Sequence, residues 1–579
     1  MRSMLVAICA ALVSTPVAAQ LAESPIIRYD DRIHPQLGEA GMVASQNHLS
    51  SAVGAEILEA GGNAVDAAVA VGFSLAVTLP RAGNLGGGGF MMIHDAESGT
   101  DIAIDYREMA PRAATRDMYL DWKGDVDKQR ARFSHLSSGV PGTVAGLYKA
   151  HSELGRLPWK RVLQPAIQQA REGVSMSYDL AQLLSMRKER MCGNETTCGY
   201  FYKPGGVPYE PGELFVQEDL AASLERIAEE GPAGFYKGKT AELIAAEMQR
   251  GGGLVDELSL AAYKPVVREP VRGTYRGHDI VTMPPPSSGG IHIIQMLNIL
   301  EHFPVAELGA GSADNVHLLT EVARLAYADR SEHLGDPDYY DVPVDWLVSK
   351  DYAKSLAATI DMKRARKSDD VKPGVAPQPE SPDTTHYSII DADGSVVAVT
   401  TTLNFSFGSG ISVAGAGFLL NNEMDDFVSK PGVPNAFGLL GGEANAIAAG
   451  KRPLSSMTPT IVFADDEAWF ATGSPGGSRI ITTVLQMIVN MIDHDMNVAE
   501  ATIAPRMHHQ WYPDVLQLES GFSPDTVKLL RERGHEVQDT RFSMGSLQSV
   551  AWKDGMFRGS SDTRRPNAAS SAPEKPRDQ

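Results

Sequence analysis

The 579-residue sequence is short of cysteine, with three, and short of positive charge. Its 52 lysines and arginines face 72 aspartates and glutamates, for a formal net charge of −20. So acidic a chain lacks the basic footprint with which nucleic-acid binders hold phosphates. Beyond the N-terminus no uninterrupted apolar run reaches the roughly 20 residues that a membrane-spanning helix needs. "EILEAGGNAVDAAVAVGFSLAVTL" is long, but Glu56, Glu59 and Asp66 interrupt it, and "IITTVLQMIVNMI" is too short. No segment repeats. There is no G-x-S-x-G nucleophile elbow and no H-E-x-x-H pair, and "NLGGGGF" lacks the G-K-[ST] ending of a phosphate cradle. His508 and His509 are adjacent, which is wrong for two ligands on one helical face. Neither a metal nor a cofactor is expected.

What is present is a globular composition, 43% hydrophobic and 21% charged, on a chain long enough for a large core. "MRSMLVAICAALVSTPVAAQ" has the layout of a secretory signal ending in an A-x-A-like site. Residues 1–19 are therefore expected to be removed after Ala19, and Cys9 with them. Cys192 and Cys198, in "CGNETTC", would remain. In an exported protein they suggest a small disulfide loop; free thiols, or a metal site lacking its other ligands, are the alternatives.

The segment from Ala64 reads as a helix buried on most faces. "SADNVHLLTEVARLAYADRSEHL" reads as an amphipathic helix with polar cap candidates. "TTHYSIIDADGSVVAVTTTLN" and "TPTIVFADDEAWFATGSPGG" read as β-hairpins, the second ending in a glycine loop. Buried helices together with antiparallel hairpins predict layered α and β packing. Residues 363–383 form the best linker candidate, and the tail at about 566–579 is expected to be disordered.

The first hairpin raises the chemical question. Alternation puts Thr384, His386 and Ser388 on one face, and Thr400, Thr402 and Asn404 on one face of the partner strand. Folding about "DADG" sets Thr384 across from residues 401 to 403. A threonine-rich strand pair is ordinary. A threonine hydroxyl becomes a nucleophile only when a base takes its proton. The threonine's own α-amine, titrating near ~7.7–8.0, would serve, but it exists only if the Asp383–Thr384 bond is hydrolysed. The polar, proline-spaced stretch before Thr384 suits such a cut, because the new end must swing away.

Those residues, with "LLNNEMDDF", "KRPLSSMTPT" and "TGSPGGSRI", resemble the small-subunit motifs of the γ-glutamyltranspeptidase family. "GGNAVDAAVA", "NLGGGGFM", "DYREMAP", "SSGVPGTVAGL" and "PPPSSGG" resemble its large subunit, in order along nearly the whole mature chain. The resemblance implies an α+β, four-layer αββα N-terminal-nucleophile hydrolase fold, with two stacked antiparallel sheets between helical layers. It implies a precursor that cuts itself before Thr384 into a large subunit, 20–383, and a small subunit, 384–579, which stay interlocked as a heterodimer. The implied substrates are glutathione and other γ-glutamyl compounds, with water, amino acids or dipeptides as acceptors. The bacterial character of the motifs and the missing anchor imply a periplasmic or secreted enzyme. A glutaryl or cephalosporin-type acylase of the same fold is the alternative.

Roles follow from the same resemblance. Thr384 is the nucleophile and Thr402 the hydroxyl that tunes it. Gly476 and Gly477 supply oxyanion N–H groups, although alone "PGG" is a hairpin turn. Arg107 clamps the substrate carboxylate, helped by Ser455 and Ser456. Glu423 and Asp426 hold the substrate ammonium, with Asn404 nearby; two acids without a cation would repel each other. The "NLGGGGF" glycines allow tight packing near the site, and His386 is a core or pocket histidine. Phe437 occupies a lid position where many bacterial members carry tyrosine, which predicts a looser lid and substantial hydrolysis beside transfer.

Overall fold

A computed structural model describes residues 32–372, 384–430, 442–540 and 542–575. Asp383, Phe437 and the expected N-terminal signal, 1–19, lie outside the described residues. Two seven-stranded sheets dominate. The first runs, in spatial order, Ala569–Ser571, Gly41–Ser45, Thr385–Asp391, Val396–Thr402, Gly88–Asp95, Thr100–Tyr106 and Val266–Arg268. The second runs Gln36–Gly38, Met556–Ser561, Gln548–Lys553, Glu467–Thr472, Thr460–Ala464, His278–Thr282 and Val271–Tyr275. Neighbouring strands pair antiparallel throughout both.

The period of two in the first sheet sorts its side chains into two cores. Val43, Met91, Ile93, Tyr387, Ile389, Val397 and Val399 pack with the helix Ala64–Thr78 and its neighbours. Their alternates Met42, Ala44, Phe90, Met92, Ile390, Val396 and Ala398 join the core shared with Ile461, Phe470 and Val550 of the second sheet. Beyond that sheet lie the helices Gly289–Leu300, Ala313–His333 and Arg479–Ile492. The layers are thus helix, sheet, sheet, helix.

The helix Ala64–Thr78 is buried along its whole length. Its start is a capping box: Asn63 accepts from the Asp66 N–H, and Asp66 accepts in return from the Asn63 N–H. Ser312 caps the helix Ala313–His333. That helix is not amphipathic as its pattern suggests, because nearly every side chain from Ala313 to Arg330 is buried. Its polar residues are tolerated because they have partners: Asp329 accepts from Gln295 and Tyr352, and Arg330 donates to Ser288 and Ser456.

The expectation of disorder at about 566–579 is corrected for the described part, through residue 575. Ala569–Ser571 forms the edge strand beside Gly41–Ser45, and Asn567 O accepts from the His48 N–H at 2.8 Å. An open sheet edge offers unpaired backbone groups, and the tail fills them whatever its own composition. Cys192 and Cys198 are joined as a disulfide that closes the loop between two helices, Tyr178–Met191 and Glu195–Phe201.

Candidate active site

Thr384 immediately precedes the strand Thr385–Asp391 and is 6% exposed. The register Thr385↔Thr401 carries it opposite Thr402, with their hydroxyl oxygens 3.3 Å apart. Thr402 Oγ1 accepts from the Asn404 N–H at 2.8 Å. Asn404 has φ +75°, a left-handed conformation uncommon outside glycine. Its carboxamide donates to Asn422 O at 3.0 Å, and Glu423 follows directly in sequence. Asn421 accepts from the N–H groups of Gly139 and Glu423 and donates to Gly86 O and Gly139 O. The two asparagines of "NNEMDDF" thereby tie the threonine pair to the glycine loop. At Gly87 a Cβ would lie 2.0 Å from Thr402 O, so only glycine admits this approach.

His386 shares the inward face with Thr384. Ser388 Oγ donates to Gln548 O of the second sheet at 3.0 Å and therefore accepts from His386 Nε2–H. Nδ1 accepts from Thr400 Oγ1–H at 2.9 Å. Burial pushes the imidazolium down to about 3, so the ring is a neutral bridge between the sheets. The loop after strand Glu467–Thr472 passes over it: a Cβ on Gly473 would sit 2.3 Å from His386 Cε1. Gly476 and Gly477 follow, with φ +138° and +57°. Their carbonyls accept from the N–H groups of Arg479 and Ile480, at the start of helix Arg479–Ile492. The positive end of that helix lies here. Tyr327 donates to Ser478 O, and Ser478 Oγ donates to Gln510, so the loop is held from behind.

Arg107, 1% exposed, pairs with both Glu423 and Asp426. The residues expected to grip opposite ends of a substrate here pair with each other. Glu108 stands 3.7 Å from the same guanidinium. Among the described residues no donor reaches either oxygen of Glu108, Oε2 of Glu423 or Oδ1 of Asp426. Burial lifts Glu423 to about 8 and Glu108 to about 7, and raises Asp426 as well, with the neighbouring acids adding to the shift. Three buried acids thus crowd one arginine, and burial favours their protonated forms.

The "RPLSSM" segment lines the same cluster: Pro453 O and Leu454 O accept from Arg107 at 3.3 and 3.4 Å. Ser455 Oγ accepts from the Met457 N–H, and Ser456 Oγ accepts from Arg330 at 3.1 Å. Sequence reasoning did not assign Glu108, Asn421, Asn422, Gly473 or Tyr327 to the site. Glu108 had a signal, its place beside Arg107 in "DYREMAP". Tyr327 had none, because its partner is a backbone carbonyl 151 residues away. A separate cleft of about 870 Å³ between the far ends of the sheets, lined by His94, Arg272, Phe463 and Trp552, contains none of these residues.

The sequence model of the Gamma-glutamyltranspeptidase family matches residues 50–572. The "Glutathione hydrolase proenzyme" of Escherichia coli (strain K12) is 54% identical over 552 residues, 94% of this chain and 95% of that protein. The "Acylase ACY 1 proenzyme" of Pseudomonas sp. (strain SE83) is 39% identical over 532 residues, 91% and 92% of the two. Among solved structures, cephalosporin acylase from Bacillus halodurans aligns with a TM-score of 0.83 at 25% identity, over 96% of this chain and 100% of that one. Helicobacter pylori γ-glutamyltranspeptidase aligns with a TM-score of 0.56 at 45% identity, over 56% of this chain and 93% of that one. Matched almost from end to end, and built on the stacked sheets of an N-terminal-nucleophile hydrolase, this chain is an enzyme of the γ-glutamyltranspeptidase family.

Proposed function

We propose that the protein is a self-processing γ-glutamyl transferase and hydrolase acting on glutathione and related γ-glutamyl compounds. In maturation the Thr384 hydroxyl attacks the Asp383 carbonyl, the Asp383–Thr384 C–N bond breaks to give an ester and a protonated Thr384 α-amine, and water then hydrolyses the ester to release the Asp383 carboxylate and restore the Thr384 hydroxyl. In turnover that amine, in its neutral form, takes the hydroxyl proton as Thr384 Oγ1 attacks the γ-carbonyl. The C–N bond then breaks, the leaving amine receives the proton, and a γ-glutamyl ester remains. Water or an acceptor amine releases the glutamyl group. N–H groups of Gly476 and Gly477 stabilise each oxyanion, about 3 kcal/mol per donor.

The observation that carries this reading is the buried cluster of Glu108, Glu423 and Asp426 around Arg107, several of whose carboxyl oxygens have no hydrogen-bond donor among the described residues, linked to the threonine pair through Asn404 and Asn422. A substrate's α-ammonium satisfies the orphaned carboxylate oxygens, and its α-carboxylate takes over the guanidinium with two parallel bonds. Ser455 and Ser456 add hydroxyls to that carboxylate. Similarity to an acylase favours the second reading, glutaryl transfer, but a glutaryl group has no ammonium for the acids. Export, with loss of residues 1–19, fits the disulfide between Cys192 and Cys198.

The test is intact mass and N-terminal sequencing of purified protein, with γ-glutamyl and glutaryl anilides compared as substrates. Two chains, one beginning Thr384-Thr385-His386, and preference for the γ-glutamyl anilide are expected. An active unbroken chain, or equal use of both anilides, overturns the reading.

A further inference from the structure

Behind the second sheet a separate group of side chains has no part in this chemistry. His317 and Glu321 lie one turn apart on the helix Ala313–His333, and His535, just ahead of the strand Val537–Asp539, packs against them. His317 Nε2–H donates to Asp361 O at 2.9 Å, so Nδ1 carries a lone pair. It faces His535 Nε2 at 2.7 Å. These two nitrogens and a Glu321 carboxylate oxygen all lie within 4.8 Å of one another, and all three residues are buried. The carboxylate is poorly served where it stands. Its contacts are the Arg366 N–H at 3.3 Å, Arg324 at 3.4 Å and the Arg366 side chain at 3.9 Å. Charge-assisted bonds normally close to about 2.7–2.9 Å.

We propose that His317 Nδ1, Glu321 and His535 Nε2 form a structural site for a divalent transition-metal ion of the zinc class. Two imidazoles and a carboxylate are a borderline donor set that suits zinc or cobalt, and one position remains for water. Bonds of about 2.0–2.2 Å in a tetrahedron place ligand atoms about 3.4 Å apart. The histidine nitrogens must open slightly and the carboxylate must close in, which are side-chain rotations. His535 then carries its proton on Nδ1. The Asp361 carbonyl orients His317 as second partners of metal-bound histidines do. The nearby Arg324 and Arg533 have their own carboxylates, Asp514 and Asp314. His317 and Glu321 precede the proposed cut and His535 follows it, so the ion would pin the two pieces together. That consequence rests on the proposed cut; binding of the ion does not, because an uncut Thr384→Ala chain holds the same three ligands.

The experiment uses tag-free, full-length protein stripped with dipicolinate and titrated with CoCl2 or ZnCl2 in excess Mg2+. One equivalent bound, visible d–d absorption with cobalt and a raised thermal midpoint are expected. His535→Gln, which keeps a donor for His317, and Glu321→Gln should each weaken binding at least about tenfold. Their circular dichroism and γ-glutamyl anilide rates at low temperature should stay unchanged. Failure to bind a stoichiometric ion overturns the site, as does cobalt binding that neither substitution weakens.

Discussion

Glu423→Gln separates the charge of the site from its shape. Burial holds Glu423 at about 8, so at pH 7 its protonated form, which resembles glutamine, dominates. A ligand ammonium needs the carboxylate, and binding must expel the proton. That step costs on the order of 1 kcal/mol at pH 7 and almost nothing at pH 9. A charge-assisted hydrogen bond returns about 1.5–3 kcal/mol. The net contribution of Glu423 is therefore smaller at pH 7 by on the order of 1 kcal/mol and reaches the full amount at pH 9. The affinity ratio of parent to variant should rise between pH 7 and pH 9 by several-fold, up to about tenfold. The assay is the Ki of L-glutamate against a γ-glutamyl anilide at both pH values, where titration of the ligand itself cancels in the ratio. A ratio that is flat or falls with pH refutes the claim that Glu423 holds a proton which the substrate ammonium displaces.

Four further outcomes follow. Thr402→Val keeps the volume but strands the Asn404 N–H and removes the hydroxyl 3.3 Å from Thr384; kcat should fall about 10–100-fold with little change in KM, while Thr402→Ser keeps most activity. Gly87→Ala drives a Cβ to 2.0 Å from Thr402 O and should cost about 1–3 kcal/mol in chemical denaturation together with most activity. Gly199→Ala, which meets nothing within 4 Å, should cost neither. Because Glu423 and Glu108 titrate higher in the folded protein than their ordinary 4.5, the folded state holds the extra protons between those values. Stability should thus decline as pH rises from about 5 to 8, less steeply in Glu423→Gln, as thermal midpoints will record. Phe437→Tyr should raise the share of transfer to glycylglycine over hydrolysis, read as product ratios.

The hairpin was legible because its information is local. Period-two alternation and the "DADG" turn set Thr384 against Thr402 without help from the rest of the chain. The polar opening Thr-Thr-His is legible only afterwards, once Ser388 is seen donating to a carbonyl of the other sheet. The tail strand Ala569–Ser571 was illegible for the opposite reason. Three small residues in a polar segment have little strand preference, and the free edge of Gly41–Ser45 supplies the pairing. The helix Ala313–His333 misled because burial of its polar face depends on partners such as Gln295, Ser456 and Asp514, far away in sequence.

By itself the amino-acid order determined the layered α and β character, the nucleophile hairpin and the list of polar residues able to serve acyl transfer, since each rests on short-range periodicity or on a residue's own chemistry. Only the tertiary structure decided that Arg107 lies between Glu423 and Asp426, that Glu108 joins them, and that His317, Glu321 and His535 meet. Those meetings close loops of more than two hundred residues, and folding settles them through the stacking of the two sheets and their helices, which no local pattern encodes.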